Sequence, residues 1–369
     1  MSKLKVFEAF AGVGCQSMAL RNLGIDFEVV GISEVDKYAL IGYDAIHNYM
    51  QEQIKFPPIP QMLKEFEDKH IAYDFSTNKL EIPKSPKDIA RLYQAHIRSK
   101  NYGDIRLIDP TTLPEIDLFT YSYPCKNISV AGKQAGLEEG SGTQSSLVWE
   151  CFKIIEHSRP KYLLMENVKN LVGSAHKPYF DMICQRLDGI GSNNYWQVLN
   201  GVDFGVPQNR ERVMMVSIRK DIDNGKFFMP LGFPLDKKLK DILEDKVDER
   251  HYVKNKPFQL VDRGRIKAEF LNVSFNQGKV IYSTEYYFQT LGARDRGTNN
   301  ILVQEEVDGK LEYRVRRLTT LEWWRLMGMS DEDHERARYV GLPETKLYER
   351  AGRGIVVPML EEIFRNLLL

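Results

Sequence analysis

The chain has 369 residues, enough for a main domain with a smaller one and a substantial buried core. Its 51 Lys+Arg against 51 Asp+Glu leave no net charge, which excludes a global electrostatic pull toward nucleic acid or membrane, so any binding face must be local. Four cysteines (Cys15, Cys125, Cys151, Cys184) without CxxC or Cys/His ligand spacing argue against a metal site or a disulfide framework and suit a reducing cytoplasm, and no apolar run approaches the roughly 18 residues of a membrane span.

Along the chain, short apolar runs alternate with helical patterns. Lys5 to Phe10 precedes Ser17 to Asn22, Phe27 to Ile32 precedes Lys37 to Asn48, Ile116 to Tyr121 precedes Ser145 to His157, and Tyr162 to Met165 precedes Tyr179 to Gly189. This alternation predicts a doubly wound α/β fold around a mostly parallel sheet. Arg212 to Arg219, after the turn signal "GVPQNRE", predicts one more strand, antiparallel to the rest. Residues 50–100 are charged and carry Pro57, Pro58, Pro60, Pro83 and Pro86, which reads as an insertion with one or two helices. Between 221 and 312 helical periodicity gives way to short β-like runs such as "KVIYST" and "EYYFQTL". A smaller second domain is expected there, with 1–220 and 313–369 forming the first.

Phe10-Ala11-Gly12-Val13-Gly14 follows the first strand and precedes a helix. Glycines there let backbone approach a ligand closely, and the helix start offers unpaired N–H groups, although a tight turn alone asks for the same glycines. The second strand ends "VVGISEVDKYA", and Glu34 stands where a nucleoside-binding sheet grips ribose hydroxyls. Together the two features point to an adenosine-containing cofactor. Cys125 follows Pro124 at the end of another strand, on the edge where open α/β sheets bind ligands, whereas Cys151 and Cys184 read as small buried apolar side chains.

In chain order, "FAGVG", "SEVDKYA", "GDI" at 103–105, "YPCKNIS", "TQSSLVWE", "MENVKN", "QNRERV", "RRLTTLEWWRLMG" and "AGRGIVVPML" resemble nine motifs of the DNA cytosine-5 methyltransferase family, over nearly the whole length. The resemblance implies a Rossmann-like S-adenosylmethionine-dependent methyltransferase domain, a target-recognition domain at 221–312, and chemistry on a cytosine flipped out of double-stranded DNA. By that resemblance Cys125 is the nucleophile that adds to cytosine C6. Glu166 holds the N3 edge as a proton donor, which requires a carboxyl kept partly protonated by a desolvated pocket. Arg212 contacts the base carbonyl, Arg210 supports the Cys125 loop or the phosphates, and Pro124, Lys126, Asn167 and Gln208 complete the substrate side. On the cofactor side Phe10, Gly12 and Gly14 line S-adenosylmethionine, Glu34 takes the ribose, Val35 packs on the adenine, and Asp104 accepts from its amine. No metal is implied. Arg250, Lys254, Lys256, Arg263, Arg265 and Lys267 suit phosphate contact, and "GARDRGTNN" at 292–300 suits a loop entering a groove.

Two departures from the family pattern add charge. Lys126 stands where the family has Gln after the cysteine, and Arg353 stands where it has Asn, in the motif next to the cofactor's sulfonium end. A guanidinium there repels the sulfonium across a short, low-dielectric gap. Arg353 therefore raises a second reading: the cofactor is carboxy-S-adenosylmethionine, held through its carboxylate, and cytosine is carboxymethylated. Against it stand an Arg353 that faces phosphate, one that pairs with an acid such as Glu349, or a degraded site. Cys15, where the family often has glycine, is expected to tune loop packing. A transfer-RNA cytosine-5 methyltransferase and an inactive DNA-binding homologue remain as alternatives, and the Cys125/Glu166/Arg212 set favours an active enzyme. The expected protein is a soluble monomer of bacterial or phage type, of the restriction-modification kind.

Overall fold

β1 (Leu4–Ala9) carries Val6, Phe7 and Ala9, all fully buried, as a strand covered on both faces requires. The computed structural model to which it belongs describes residues 3–52, 54–74, 77–124, 141, 143–254, 256–271, 279–293 and 299–369. The chain divides into two compact units: Met1–Leu199 with Glu211–Pro230 and Leu360–Leu369, and Asn200–Arg210 with Leu231–Met359.

In the first unit β1 leads through α1 (Cys15–Asn22) to β2 (Phe27–Ser33) and α2 (Lys37–His47). Asp36 starts α2 by accepting from the N–H groups of Tyr38 and Ala39 (2.9 and 3.1 Å), so the acid after Val35 in "SEVD" is a helix cap. The insertion holds α3 (Ile59–Asp68), a ribbon of β3 (Tyr73–Asp74) and β4 (Lys79–Leu80), and α4 (Pro86–Arg98), which is opened by a Ser85 cap and a proline in its first turn. Then follow β5 (Leu118–Tyr121), α5 (Val148–Ser158), β6 (Tyr162–Val168), α6 (Lys177–Gly189), β7 (Ser192–Asn200) and β8 (Glu211–Arg219). The sheet order is β2-β1-β5-β6-β8-β7. β1 pairs parallel with β2 and β5, β5 parallel with β6, and β8 antiparallel with β6. In this unit the strands expected from the sequence are present, and β7 is an addition; of the β-like runs expected further on, "EYYFQTL" at 285–291 forms no strand. β7 opens on Ser192-Asn193-Asn194 and lies half-buried at the sheet edge, so it shows no apolar run to read. Phe7 stacks on Phe119 in the core (5.5 Å between rings), and Cys151 is fully buried in α5, where burial pushes its thiol up, well above the ordinary range.

The second unit holds a five-stranded sheet of β9 (Phe258–Arg263), β10 (Ile266–Phe270), β11 (Val280–Ser283), β12 (Asn300–Val307) and β13 (Lys310–Arg317), in the order β13-β12-β11-β10-β9. Three helices follow in this unit, α7 (Thr320–Leu326), α8 (Asp331–Tyr339) and α9 (Glu344–Arg353), and most of α10 (Val357–Leu368) belongs to the first unit. The expected division at 220/221 and 312/313 differs from the observed one, in which Asn200–Arg210 already belong to the second unit, the first resumes over Glu211–Pro230, and after Leu231–Met359 it resumes again at Leu360. The physical reason lies in "RRLTTLEWW". Arg316 of β13 donates to both carboxylate oxygens of the fully buried Glu322 in α7 (2.8 Å each), and Glu322 also accepts from Thr319 and Glu244 N–H. Trp323 and Trp324 are buried beside it. This bidentate pair joins the helices to the five-stranded sheet.

Candidate active site

The register of the first sheet aligns the ends of four neighbouring strands. Ser33 of β2 lies opposite Ala9 of β1, Ala9 opposite Tyr121 of β5, and Tyr121 opposite Met165 of β6. The next residues, Glu34, Phe10 and Ser122, therefore start loops along one edge of the sheet, and Glu166 stands in line with them inside β6, two residues before its end. β1 is also where the chain reverses its direction of growth, with β2 on one side and β5 on the other, and ligands of open α/β sheets bind at such a switch.

Between β1 and α1, Phe10 (φ 57°), Gly12 (φ 58°) and Gly14 (φ 76°) all take the left-handed conformation. For Phe10 this costs on the order of 1 kcal/mol, a strain typical of functional turns. A side chain on Gly14 would enter the Tyr43 ring (2.7 Å), whereas Gly12 faces open space with nothing within 4 Å of a β-carbon. The Glu34 carboxylate clamps this loop to the end of β2: it accepts from the N–H groups of Gly12 (2.9 Å), Val35 (2.9 Å) and Asp36 (2.8 Å). Asn101 bonds both backbone groups of Glu34 (3.0 Å each) and the N–H of Gly103 (3.1 Å), so it ties Glu34 to the loop of Asp104. An open glycine face beside a fixed carboxylate fits an adenosine cofactor. Asn101 escaped the sequence reading, although it stands two residues before "GDI".

Glu8, also missed, lies fully buried under the glycine loop. It accepts from Ser17 N–H and hydroxyl (3.0 Å each) and from the Tyr43 hydroxyl (2.7 Å). Burial pushes its carboxyl up to about 7, against the opposing bonds from Tyr43 and Ser17. The folded protein thus keeps a proton that the unfolded chain has lost above about 4.5, so Glu8 contributes stability that is full below that pH and is lost as pH rises through about 7. Glu8→Gln is expected to flatten the fall in stability between about pH 5 and 8, by on the order of 2–3 kcal/mol across the window. Urea unfolding at several pH values reads this directly, and an unchanged slope would contradict it.

On the substrate side, Cys125 and Lys126 lie outside the described residues, as does the 294–298 part of "GARDRGTNN". The chain leading to Cys125 is fixed at two points: the Tyr123 carbonyl accepts from Asn167 Nδ2 and the Pro124 carbonyl from the Ser145 hydroxyl (3.1 Å each). Asn167, expected to touch substrate, is instead a buried support (2 % exposed), since its amide bonds Tyr123 and its oxygen accepts from Val168 N–H. Glu166 and Arg212 meet across β6 and β8, with Arg212 Nε 3.1 Å from a Glu166 oxygen. Val168, not Glu166, is the register partner of Arg212, so the pair is diagonal on one face.

Gln208 and Arg210 also differ from expectation. Gln208 is fully buried in the second unit, donating to the Leu326 carbonyl (2.8 Å) and accepting from Leu291 N–H (3.0 Å). Arg210, also buried, donates to the carbonyls of Leu291, Gly352 and Gly354 (3.1, 3.0 and 2.9 Å). A guanidinium that serves three carbonyls in the interior is a scaffold for the two glycine segments it joins and is closed off from phosphate. Arg353, at the end of α9, is half-exposed and pairs with Glu349 (2.6 Å), which also meets Lys346 (2.8 Å) and Arg350 (3.2 Å). Burial would raise the Glu349 carboxyl, but these cations outweigh it and hold it below the usual range. Of the basic run, Arg250, Arg263 and Lys267 are paired with Glu344, Glu269 and Asp262, while Lys256 and Arg265 lie over the rings of Phe270 and Tyr287.

The family described as C-5 cytosine-specific DNA methylase matches residues 79–368. Type II methyltransferase M2.ScrFI of Lactococcus lactis subsp. cremoris is 42 % identical over 99 % of both chains, and orphan methyltransferase M.SssI of Spiroplasma monobiae is 31 % identical over 98 % of this chain and 96 % of its own. Among solved structures, the S. pombe Dnmt2 methyltransferase matches all of both chains with a TM-score of 0.63 at 15 % identity, a likeness of fold.

Proposed function

Because the chain belongs to the C-5 cytosine-specific DNA methylase family, we propose that it methylates C5 of a cytosine flipped out of double-stranded DNA, with S-adenosylmethionine as cofactor and Cys125 as nucleophile. The observation that carries this reading is the row of Glu34, Phe10, Ser122 and Glu166 at one sheet edge, which brings the glycine loop, the strand leading to Cys125 and the Glu166/Arg212 pair together at the switch point. Cys125, as thiolate, adds to C6 and moves electron density to C5. S-adenosylmethionine, when bound, would supply an electrophilic methyl carbon, so that the C5–methyl bond forms as the methyl–sulfur bond breaks and the sulfur keeps the electron pair as a neutral thioether. Loss of the C5 proton and departure of Cys125 then restore the ring double bond. Glu166 donates to N3 as C6 is attacked, and Arg212, already at its side, takes the base carbonyl. Glu34 holds the ribose with the carboxylate that also fixes the glycine loop. Transfer of labelled methyl to duplex DNA, with transfer RNA in parallel, tests this. Label in DNA is expected, and label in RNA alone would overturn the DNA reading.

Carboxymethyl transfer finds no support in the position of Arg353. Its charge is met by Glu349, itself one of a cluster with Lys346 and Arg350. Arg353→Asn is therefore expected to leave the product as 5-methylcytosine and the rate within about threefold, as for the loss of a half-exposed ion pair. A more than tenfold change in cofactor preference in a competition assay would contradict this.

A further inference from the structure

The insertion of residues 50–100 is built onto the loops that would hold the cofactor's adenine. Ala72 N–H donates to the Val35 carbonyl (2.8 Å), and Asp104 N–H donates to the Lys69 carbonyl (2.9 Å). Between these anchors His70 (φ 52°) and Ala72 (φ 67°) are both left-handed, a shape that side-chain-bearing residues rarely hold without a structural reason. The turn aims His70 Nδ1 at Asp104 Oδ2 (3.0 Å). An ionised carboxylate only accepts, so Nδ1 carries the proton. The His70 ring stacks on Tyr73 (4.9 Å, 10° between planes), and the Arg106 guanidinium lies over the other aromatic of the pair, 5.6 Å from the Tyr73 centroid.

Asp104 is 1 % exposed, and its acceptor sites are taken. Oδ1 accepts from Arg106 N–H and Nε (3.0 Å each), while Oδ2 accepts from Arg106 Nε (3.0 Å), from Arg106 Nη2 and from His70. A carboxylate offers about four lone-pair sites, and these contacts fill them. An exocyclic amine therefore reaches Asp104 only in place of one donor. His70 is held by the strained turn and by stacking. The Arg106 side chain is 38 % exposed and can carry its own charge into solvent, which leaves the buried Asp104 carboxylate to His70 and the incoming amine.

We propose that the Arg106 guanidinium and the adenine amine of the cofactor exchange at Asp104, with His70 as the positioning residue that keeps the carboxylate aimed during the exchange. The inference rests on the S-adenosylmethionine reading above. In consequence, cofactor affinity is set partly by a side chain that competes with the cofactor, and selectivity for an amine at the purine 6-position resides in Asp104 and the insertion.

The test is calorimetric binding of S-adenosylhomocysteine, which undergoes no transfer, and of its inosyl analogue, in which a carbonyl replaces the 6-amine. Full-length wild type, Arg106→Gln and His70→Ala are compared, with melting temperatures to confirm folding. Arg106→Gln is expected to tighten S-adenosylhomocysteine about three- to tenfold while leaving the analogue within about twofold, and His70→Ala is expected to weaken S-adenosylhomocysteine only. Unchanged or weaker binding in folded Arg106→Gln, or equal changes for both ligands, would overturn the exchange. A wild type that binds neither ligand would overturn the cofactor reading, and this inference with it.

Discussion

Cys125→Ser is expected to lower methyl transfer by at least ~10³-fold while leaving folding and DNA affinity nearly unchanged. A serine hydroxyl ionises far above neutral pH and is a much weaker nucleophile toward C6 than a thiolate, so the enamine-like C5 never forms. The variant should stay folded, because the supports of the strand leading to this position come from Asn167 and Ser145 on the carbonyls of Tyr123 and Pro124, which the substitution does not touch. Duplex DNA containing 5-fluorocytosine separates chemistry from binding: wild type with cofactor should give a gel-stable covalent complex, and the variant should bind but leave no adduct. A variant within tenfold of wild-type turnover would remove Cys125 from the mechanism.

Glu166→Gln carries the second large effect, an expected loss of about 10²- to 10⁴-fold in kcat, the usual range for a general acid. Glutamine keeps the size of the side chain and an oxygen for Arg212, so the contact now at 3.1 Å can persist. What it loses is the ability to hand a proton to N3 as charge develops on the ring. The loss should fall on kcat and on adduct formation with 5-fluorocytosine DNA, with DNA affinity within about threefold. If instead affinity collapses and single-turnover rates are preserved, Glu166 is part of the binding surface and not the acid.

The fold was legible where both faces of a strand are buried, because apolar-rich runs such as "LKVFEA" and "LFTY" leave few alternatives. β7 was not, since edge strands need no such pattern. The glycine loop and Glu34 were readable as local signals, and the structure joins them by the bond from Gly12 N–H to the Glu34 carboxylate. Sequence position alone did not separate residues that could meet a ligand from those that hold the frame. Asn167, Gln208 and Arg210 sit inside motifs beside Glu166 and Arg212, yet each points inward to backbone groups that burial leaves in need of partners. The reverse holds for the insertion, whose His70 and Tyr73 belong to no motif and still reach Asp104 and Arg106 through tertiary packing. Arg353 stood out as an extra cation, and of the alternatives that the sequence offered for it the structure contains the pairing with Glu349, one helical turn away.

The central claim, methyl transfer to C5 of cytosine in duplex DNA, is tested most directly by nucleoside mass spectrometry of DNA incubated with purified protein and either S-adenosylmethionine or its carboxylated analogue. The account predicts 5-methylcytosine with the first cofactor, none with Cys125→Ser, and no carboxymethylated base with the second. Dominant 5-carboxymethylcytosine, or unmodified cytosine with both cofactors, would contradict it.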